Sequence, residues 1–134
     1  MFFLSKEQRN KIVEKLKNFF QNGKLSDKSL GILMRTFHLS TPISYLILAF
    51  LAPRYVVNIV AALLLVIFLM FFVFGGCILS MVENKICNDD FTIADPFLEL
   101  LDMELVSKNR FNISLMVFAI YNLIIATIYY VRFL

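Results

Sequence analysis

Residues 56–74 read VVNIVAALLLVIFLMFFVF, a run without a charge whose only strongly polar side chain is Asn58. Wound as a helix, this run is apolar on every face, so it has no side to turn toward water. Moving outward to the nearest charges on either side, the charge-free window extends from Tyr55 to Val82 and holds 28 residues. Two more windows flank it, Thr36 to Pro53 with 18 residues and Phe111 to Val131 with 21. A bilayer core of about 30 Å takes about 20 apolar residues in a helix that rises about 1.5 Å per residue. The first window is therefore marginal, the third fits, and the second is over-long unless it tilts or protrudes.

Composition points the same way. Of 134 residues, 60% are hydrophobic and 17% charged, with 15 Phe and no Trp. A soluble chain carries roughly a quarter of its residues as charges, and a small domain has little interior in which to hide an apolar excess. Disorder, a disulfide-stapled secreted scaffold, a collagen-like fibre and a large soluble enzyme are all excluded on this arithmetic. The expected fold is all-α: three transmembrane helices at about 36–53, 55–82 and 111–131, an N-terminal amphipathic helix within 1–35, and a short interfacial helix in the 83–110 connector. Only Pro53 and Arg54 separate the first two windows, which predicts a tight antiparallel hairpin, and Pro42 predicts an entrance or a kink.

Basic residues orient the spans. Residues 1–38 carry eight Lys and Arg and the 83–110 connector three, against Arg54 and Arg132 on the opposite face. Eleven against two places the N-terminus and the connector inside and the C-terminus outside. Tyr55, Tyr129 and Tyr130 then fall at the outer interface, where amphipathic rings favour the headgroup layer.

Ser5-Lys-Glu-Gln8 has the spacing of a capping box. Ile12, Val13, Leu16, Phe19 and Phe20 follow on one helical face, while Lys6, Lys11, Lys15 and Lys17 populate the rest. Such a helix either lies in the headgroup layer, its cations drawn to anionic lipid, or packs on another protein. It should end near Asn22-Gly23. Met1-Phe-Phe-Leu4 is too short for the apolar core of a cleaved signal peptide, and Glu7 and Glu14 interrupt what an organelle presequence would keep basic.

The connector holds seven acids against three bases, a local charge of minus four, whereas residues 1–38 hold eight bases and three acids, hence plus five. Two opposite surfaces on one side should attract each other or recruit separate partners, with Glu99, Asp102 and Glu104 as the docking residues. Asp95-Pro96 suits an N-cap followed by Pro at the first helical position. Phe97, Leu98, Leu101 and Leu105 then line the apolar side of a helix reaching about Ser107.

If the topology holds, His38, Glu83, Asp95 and Arg110 converge on the inner interface, as they would in a membrane-surface active site. The bland alternative is an ion pair, Glu83 with Arg110, joining two spans. No triad order, phosphate-cradling loop or two-carboxylate spacing accompanies the cluster. His38 with Cys77 and Cys87 could nominally offer three metal ligands, but the cysteine spacing matches no zinc motif, so no metal and no cofactor are expected. Both thiols fall on the reducing side, where no disulfide is expected. Within the membrane, Gly75, Gly76 and Ser80 suggest close helix packing through Gly76-x-x-x-Ser80, and the amides Asn58 and Asn122 should face protein. Asn112-Ile-Ser114 is a formal glycosylation sequon placed by the topology on the wrong side for use.

Four stretches form a set: His38-Leu-Ser-Thr-Pro42, Gly76-Cys77-Ile-Leu-Ser-Met-Val-Glu83, Thr92-Ile-Ala-Asp95-Pro96-Phe-Leu-Glu-Leu-Leu and Asn109-Arg110. Together they resemble small multi-span membrane proteins of large nucleocytoplasmic DNA viruses. The likeness covers residues 36–134 and brings no activity with it. It implies a setting, the internal membrane of an icosahedral particle or a host membrane remodelled during assembly. The leading expectation is a non-enzymatic structural anchor between such a membrane and a protein layer, with the bilayer and other membrane or capsid-type proteins as partners, no nucleic acid, and homo-oligomerisation left open. The alternatives are a membrane-surface enzyme and an oligomeric transporter or channel subunit.

Overall fold

The computed structural model describes residues 4–134; Met1 to Phe3, on which the leader-peptide reading rests, lie outside the described residues. Six helices and no strands make up the described chain: α1 Lys6–Gln21, α2 Asp27–Leu51, α3 Arg54–Phe74, α4 Ile78–Cys87, α5 Asp95–Leu100 and α6 Ser107–Phe133. Three of them, α2, α3 and α6, are long and apolar enough to cross a membrane. The chain divides into two compact units, residues 1–39 with 70–92, and residues 40–69 with 93–134.

Start signals sit where the sequence places them. Gln8 N–H donates to the Ser5 hydroxyl at 3.2 Å and Ser5 N–H donates back to the Gln8 side chain at 3.0 Å, closing the capping box of α1. Asn22 caps its end. Ser29 N–H donates to the Ser26 hydroxyl at 3.3 Å at the start of α2. That helix begins nine residues before the charge-free window and continues past Pro42, which neither opens nor ends it.

The expected second span does not run to Val82. It stops at Phe74, and a separate helix begins at Ile78. The reason is Gly75-Gly76. Gly75 has φ 68° and Gly76 φ 150°, and their N–H groups donate to Phe72 O at 3.2 Å and Phe71 O at 2.9 Å. This is the paired reverse bonding of a Schellman motif, which satisfies the last carbonyls of a helix and needs a residue without a Cβ in the left-handed position. What remains as α3 is 21 residues, about 32 Å long at 1.5 Å per residue, the thickness of one bilayer core. Gly76 thus lies outside any helix and Ser80 in the first turn of α4, so Gly76-x-x-x-Ser80 forms no small-residue stripe on a single span. A Cβ on Gly76 would also meet Met81 Cε at 3.1 Å. Gly76→Ala is expected to cost about 1–2 kcal/mol, chiefly from the backbone conformation, and to lower the thermal midpoint in detergent. Gly23→Ala serves as the neutral comparison, since Gly23 has no positive φ.

In the first unit, Val13 of α1 packs with Leu30 and Met34 of α2 and Val82 and Ile86 of α4. Part of the apolar face of α1 is therefore covered by its own chain, while Phe19 and Phe20 remain exposed. Arg9 Nη1 donates to Phe74 O at 3.0 Å, and Lys85 Nζ pairs with Glu14 Oε1 at 2.6 Å. The α1 segment and the beginning of the acidic connector are thus in direct contact.

In the second unit, Ala49, Val60, Leu64, Ile125 and Ile128 join α2, α3 and α6. The end of α2, the start of α3 and the end of α6 meet: Arg54 Nε donates to Tyr129 Oη at 3.3 Å, and Arg132 donates to Ala49 O. This is the expected α2–α3 hairpin, with α6 parallel to α2. Tyr121 Oη donates to Pro42 O at 2.7 Å, and Asn122 finds its acceptor within α6, donating to Phe118 O at 2.8 Å. Asn58, expected to face protein, is exposed on this chain. The connector helix is shorter than expected, ending at Leu100 rather than near Ser107, and its N-cap is Ala94, not Asp95. Asp95 instead pairs with Arg110, and Leu98 seals α5 onto α6 against Ile113 and Val117.

Candidate functional site

Of the four residues expected to converge, the ion pairs separate into two clusters. Asp95 Oδ1 and Oδ2 accept from Arg110 Nε at 2.8 Å and Nη2 at 3.0 Å, a two-pronged pair inside the second unit. Glu83 and His38 belong to the first unit, and the partner of Glu83 is Arg35, not Arg110.

The His38 cluster is built by α2, α4 and the glycine turn before α4. Arg35 and His38 lie three residues apart on α2 and so project from one side of that helix. Cys77 is the N-cap residue of α4, delivered there by the Gly75-Gly76 turn, and Glu83 lies on the buried side of the same helix with Val82 and Ile86. His38 Nδ1 is 3.3 Å from Glu83 Oε2, and His38 Nε2 is 3.4 Å from Cys77 Sγ. Glu83 is 4% exposed. Its other oxygen accepts from Arg35 Nε at 2.9 Å, and Arg35 Nη2 reaches both oxygens of Asp89 at 2.6 and 2.7 Å. The Arg35 guanidinium also lies 5.2 Å over the Phe91 ring. A buried carboxylate is tolerated when charge and hydrogen bonds surround it, and here an arginine and an imidazole share it.

The two thiols differ. Burial pushes Cys77 up, but His38 and then Ser80 in the first turn of α4 more than offset it, leaving the thiol below its ordinary value. Low thiol values of this kind arise beside imidazole groups and at helix N-termini. Cys87 moves the other way, raised by burial against the neighbouring Arg35, and by the carboxylates of Asp89 and Glu83. Both cysteines are free and half-buried. Among the described residues no three His, Cys, Asp or Glu side chains could hold one metal ion.

Sequence reading placed His38 and Glu83 at one interface but missed Cys77 and Arg35 as their partners. For Cys77 the sequence offers a metal ligand or a disulfide partner, neither of them expected. The usable signal was Gly75-Gly76 ahead of it: a glycine pair ends one helix, and the next residue then caps the following one.

The Asp89 carboxyl is held below the usual carboxylate range by the Arg35 guanidinium. A depressed carboxylate contributes stability above its unfolded value of about 3.9, and that contribution disappears as pH falls through the lower folded value. Asp89→Asn should therefore lower the melting curve near pH 6, with the difference from wild type shrinking as pH falls below the ordinary carboxylate range. The difference is at most about 1 kcal/mol because the pair is solvent-screened.

Of the remaining expected sites, Lys6, Lys15 and Lys17 project from α1, and Lys11 pairs with Glu7 at 2.8 Å on an exposed surface. Glu99, Asp102 and Glu104 are all exposed at the end of α5 and in the turn after it, where Asp102 has φ 54°. Around them Leu100 and Leu101 are exposed as well.

The chain is thus an all-α protein with three candidate membrane spans. Comparison with known protein families, with curated proteins and with solved structures finds no match for it.

Proposed function

We propose that this protein is an integral membrane scaffold, with its N-terminus and connector inside and its C-terminus outside, which holds a protein layer against a bilayer. The observation that carries this reading is the exposure of the spans. Only 11%, 22% and 17% of the residues in the apolar windows of α2, α3 and α6 are buried within the chain. Helices so apolar and so uncovered need hydrocarbon around them. The eleven-to-two asymmetry of basic residues supports the orientation. The resemblance of residues 36–134 to membrane proteins of large DNA viruses supports a virion membrane or a host membrane remodelled by assembly.

The docking surface in this reading is the α5 end, where Glu99, Asp102 and Glu104 stand among exposed Leu100, Leu101 and Met103. Acidic rims around apolar side chains select a basic, partly apolar partner and exclude acidic ones. Reversal of all three acids to lysine should leave the protein resistant to carbonate extraction. It should lower recovery of a crosslinked neighbour from native membrane about tenfold, the equivalent of roughly 1.4 kcal/mol. An unchanged neighbour profile defeats the docking reading; release of wild-type protein by carbonate defeats the membrane reading.

A further inference from the structure

We propose that Cys77, His38 and Glu83 form a thiol acyl-transfer site, in which Cys77 takes an activated long-chain acyl group from an ester or thioester at the membrane surface. This goes beyond the scaffold reading and shares with it only the membrane setting.

The geometry is that of an activated nucleophile: thiol, imidazole and carboxylate in sequence, each within reach of the next. His38 Nδ1–H donates to Glu83 Oε2 at 3.3 Å, which fixes the ring and leaves Nε2, 3.4 Å from Cys77 Sγ, to accept the thiol proton. Glu83 is a positioning residue, as is Arg35, which holds the second Glu83 oxygen at 2.9 Å and is itself anchored on Asp89. A chain of polar contacts that runs through one buried carboxylate to a single thiol is more than helix packing requires. The ion pair Arg35–Glu83 alone would already join α2 to α4.

Substrate class follows from where the thiol falls in the chain. Cys77 comes three residues after the end of the apolar helix α3 at Phe74, and His38 two residues after Thr36, where the first charge-free window opens. Both lie where apolar spans give way to charged segments, the depth at which the ester carbonyls of bilayer lipids and of membrane-inserted acyl carriers reside. Cys77 is half-buried, neither sealed in the core nor open to bulk water.

The step balances without an oxidant. Cys77 passes its proton to His38 Nε2 while Sγ attacks the carbonyl carbon of R–CO–X. The S–C bond forms, the C–X bond breaks, and His38 returns the proton to X, which departs as HX. The product is an S-acyl thioester on Cys77. Water or an acceptor hydroxyl, thiol or amine, deprotonated by His38, then takes the acyl group and restores the thiol.

The test uses the full chain in nanodiscs, offered either palmitoyl-coenzyme A or dipalmitoyl phosphatidylcholine as the bilayer lipid, with intact mass as the readout. One palmitoyl increment, removable by neutral hydroxylamine, is expected from at least one donor, and the donor that gives it identifies the source. Cys77→Ser should abolish the adduct and Cys87→Ser preserve it. His38→Ala should slow it about a hundredfold or more, and Glu83→Gln about tenfold with a displaced pH–rate profile. Since Cys77→Ser could disturb folding, wild-type protein supplies a second measurement. Iodoacetamide at neutral pH should alkylate Cys77 at least tenfold faster than Cys87, and that alkylation should block palmitoylation. No adduct from either donor, an adduct that survives Cys77→Ser, an unchanged rate in His38→Ala, or equal alkylation of both thiols overturns the proposal. None of these outcomes touches carbonate resistance, so failure here is distinguishable from failure of the scaffold reading.

Discussion

Glu83→Ala is expected to lower the stability of the detergent-solubilised protein by about 2–3 kcal/mol. Removing one member of a buried charged network strands the others, and complete burial would raise the cost to about 3–5 kcal/mol. The lower figure applies because the Arg35 side chain is 30% exposed and keeps Asp89 as a partner. At a few degrees per kcal/mol for a chain of this length, the thermal midpoint should fall by roughly 6–12 °C. Glu83→Gln retains the shape and one acceptor, so its loss should be clearly smaller. Asp89→Ala, at an exposed pair, should cost at most about 1 kcal/mol. Equal midpoints for Glu83→Ala and Asp89→Ala would show that Glu83 is not the centre of the cluster.

The second large effect belongs to Leu98. Its side chain is fully buried, with Ala94, Ile113 and Val117 around it, and α5 has only six residues. A helix of that length has no stability of its own and persists only through packing. Leu98→Ala should cost about 3 kcal/mol from lost contacts and the cavity left behind. Because α5 depends on this one side chain, the loss should appear locally: cleavage by protease within 93–106 and faster amide exchange there, while amides in the middle of α6 stay protected. Leu100→Ala, two residues away and 83% exposed, is the matched substitution expected to do almost nothing.

How much of this was legible in the chain depends on the range of the interaction involved. The three long apolar helices could be read because bilayer thickness is an external ruler and the charge-free windows can be measured against it. The α1 start could be read because Ser5 and Gln8 satisfy one another three residues apart. The division of the 28-residue window is written in Gly75-Gly76: taken as a packing stripe the pair predicts one long span, although two adjacent glycines cost a helix about 1 kcal/mol each and favour the left-handed turn that ends one. The choice of Arg35 over Arg110 for Glu83 was not legible. Both are arginines next to an apolar window, and which one meets the carboxylate depends on the packing of Val13, Leu30 and Val82, contacts far apart in sequence. The same packing brings Cys77 to His38, 39 residues away, and no local spacing rule could have paired them.

The glycine pair has one more consequence. In an unbroken helix every added residue rotates all that follows by about 100°, so lengthening α3 to suit a thicker bilayer would swing the α4 face, and the thiol with it, away from its imidazole. The winding is interrupted at Gly75-Gly76, so that two residues free of a Cβ stand where such an angular error would have to be absorbed. A change of bilayer thickness would then be met by the backbone of two residues and not by the packing of α4 on α1 and α2.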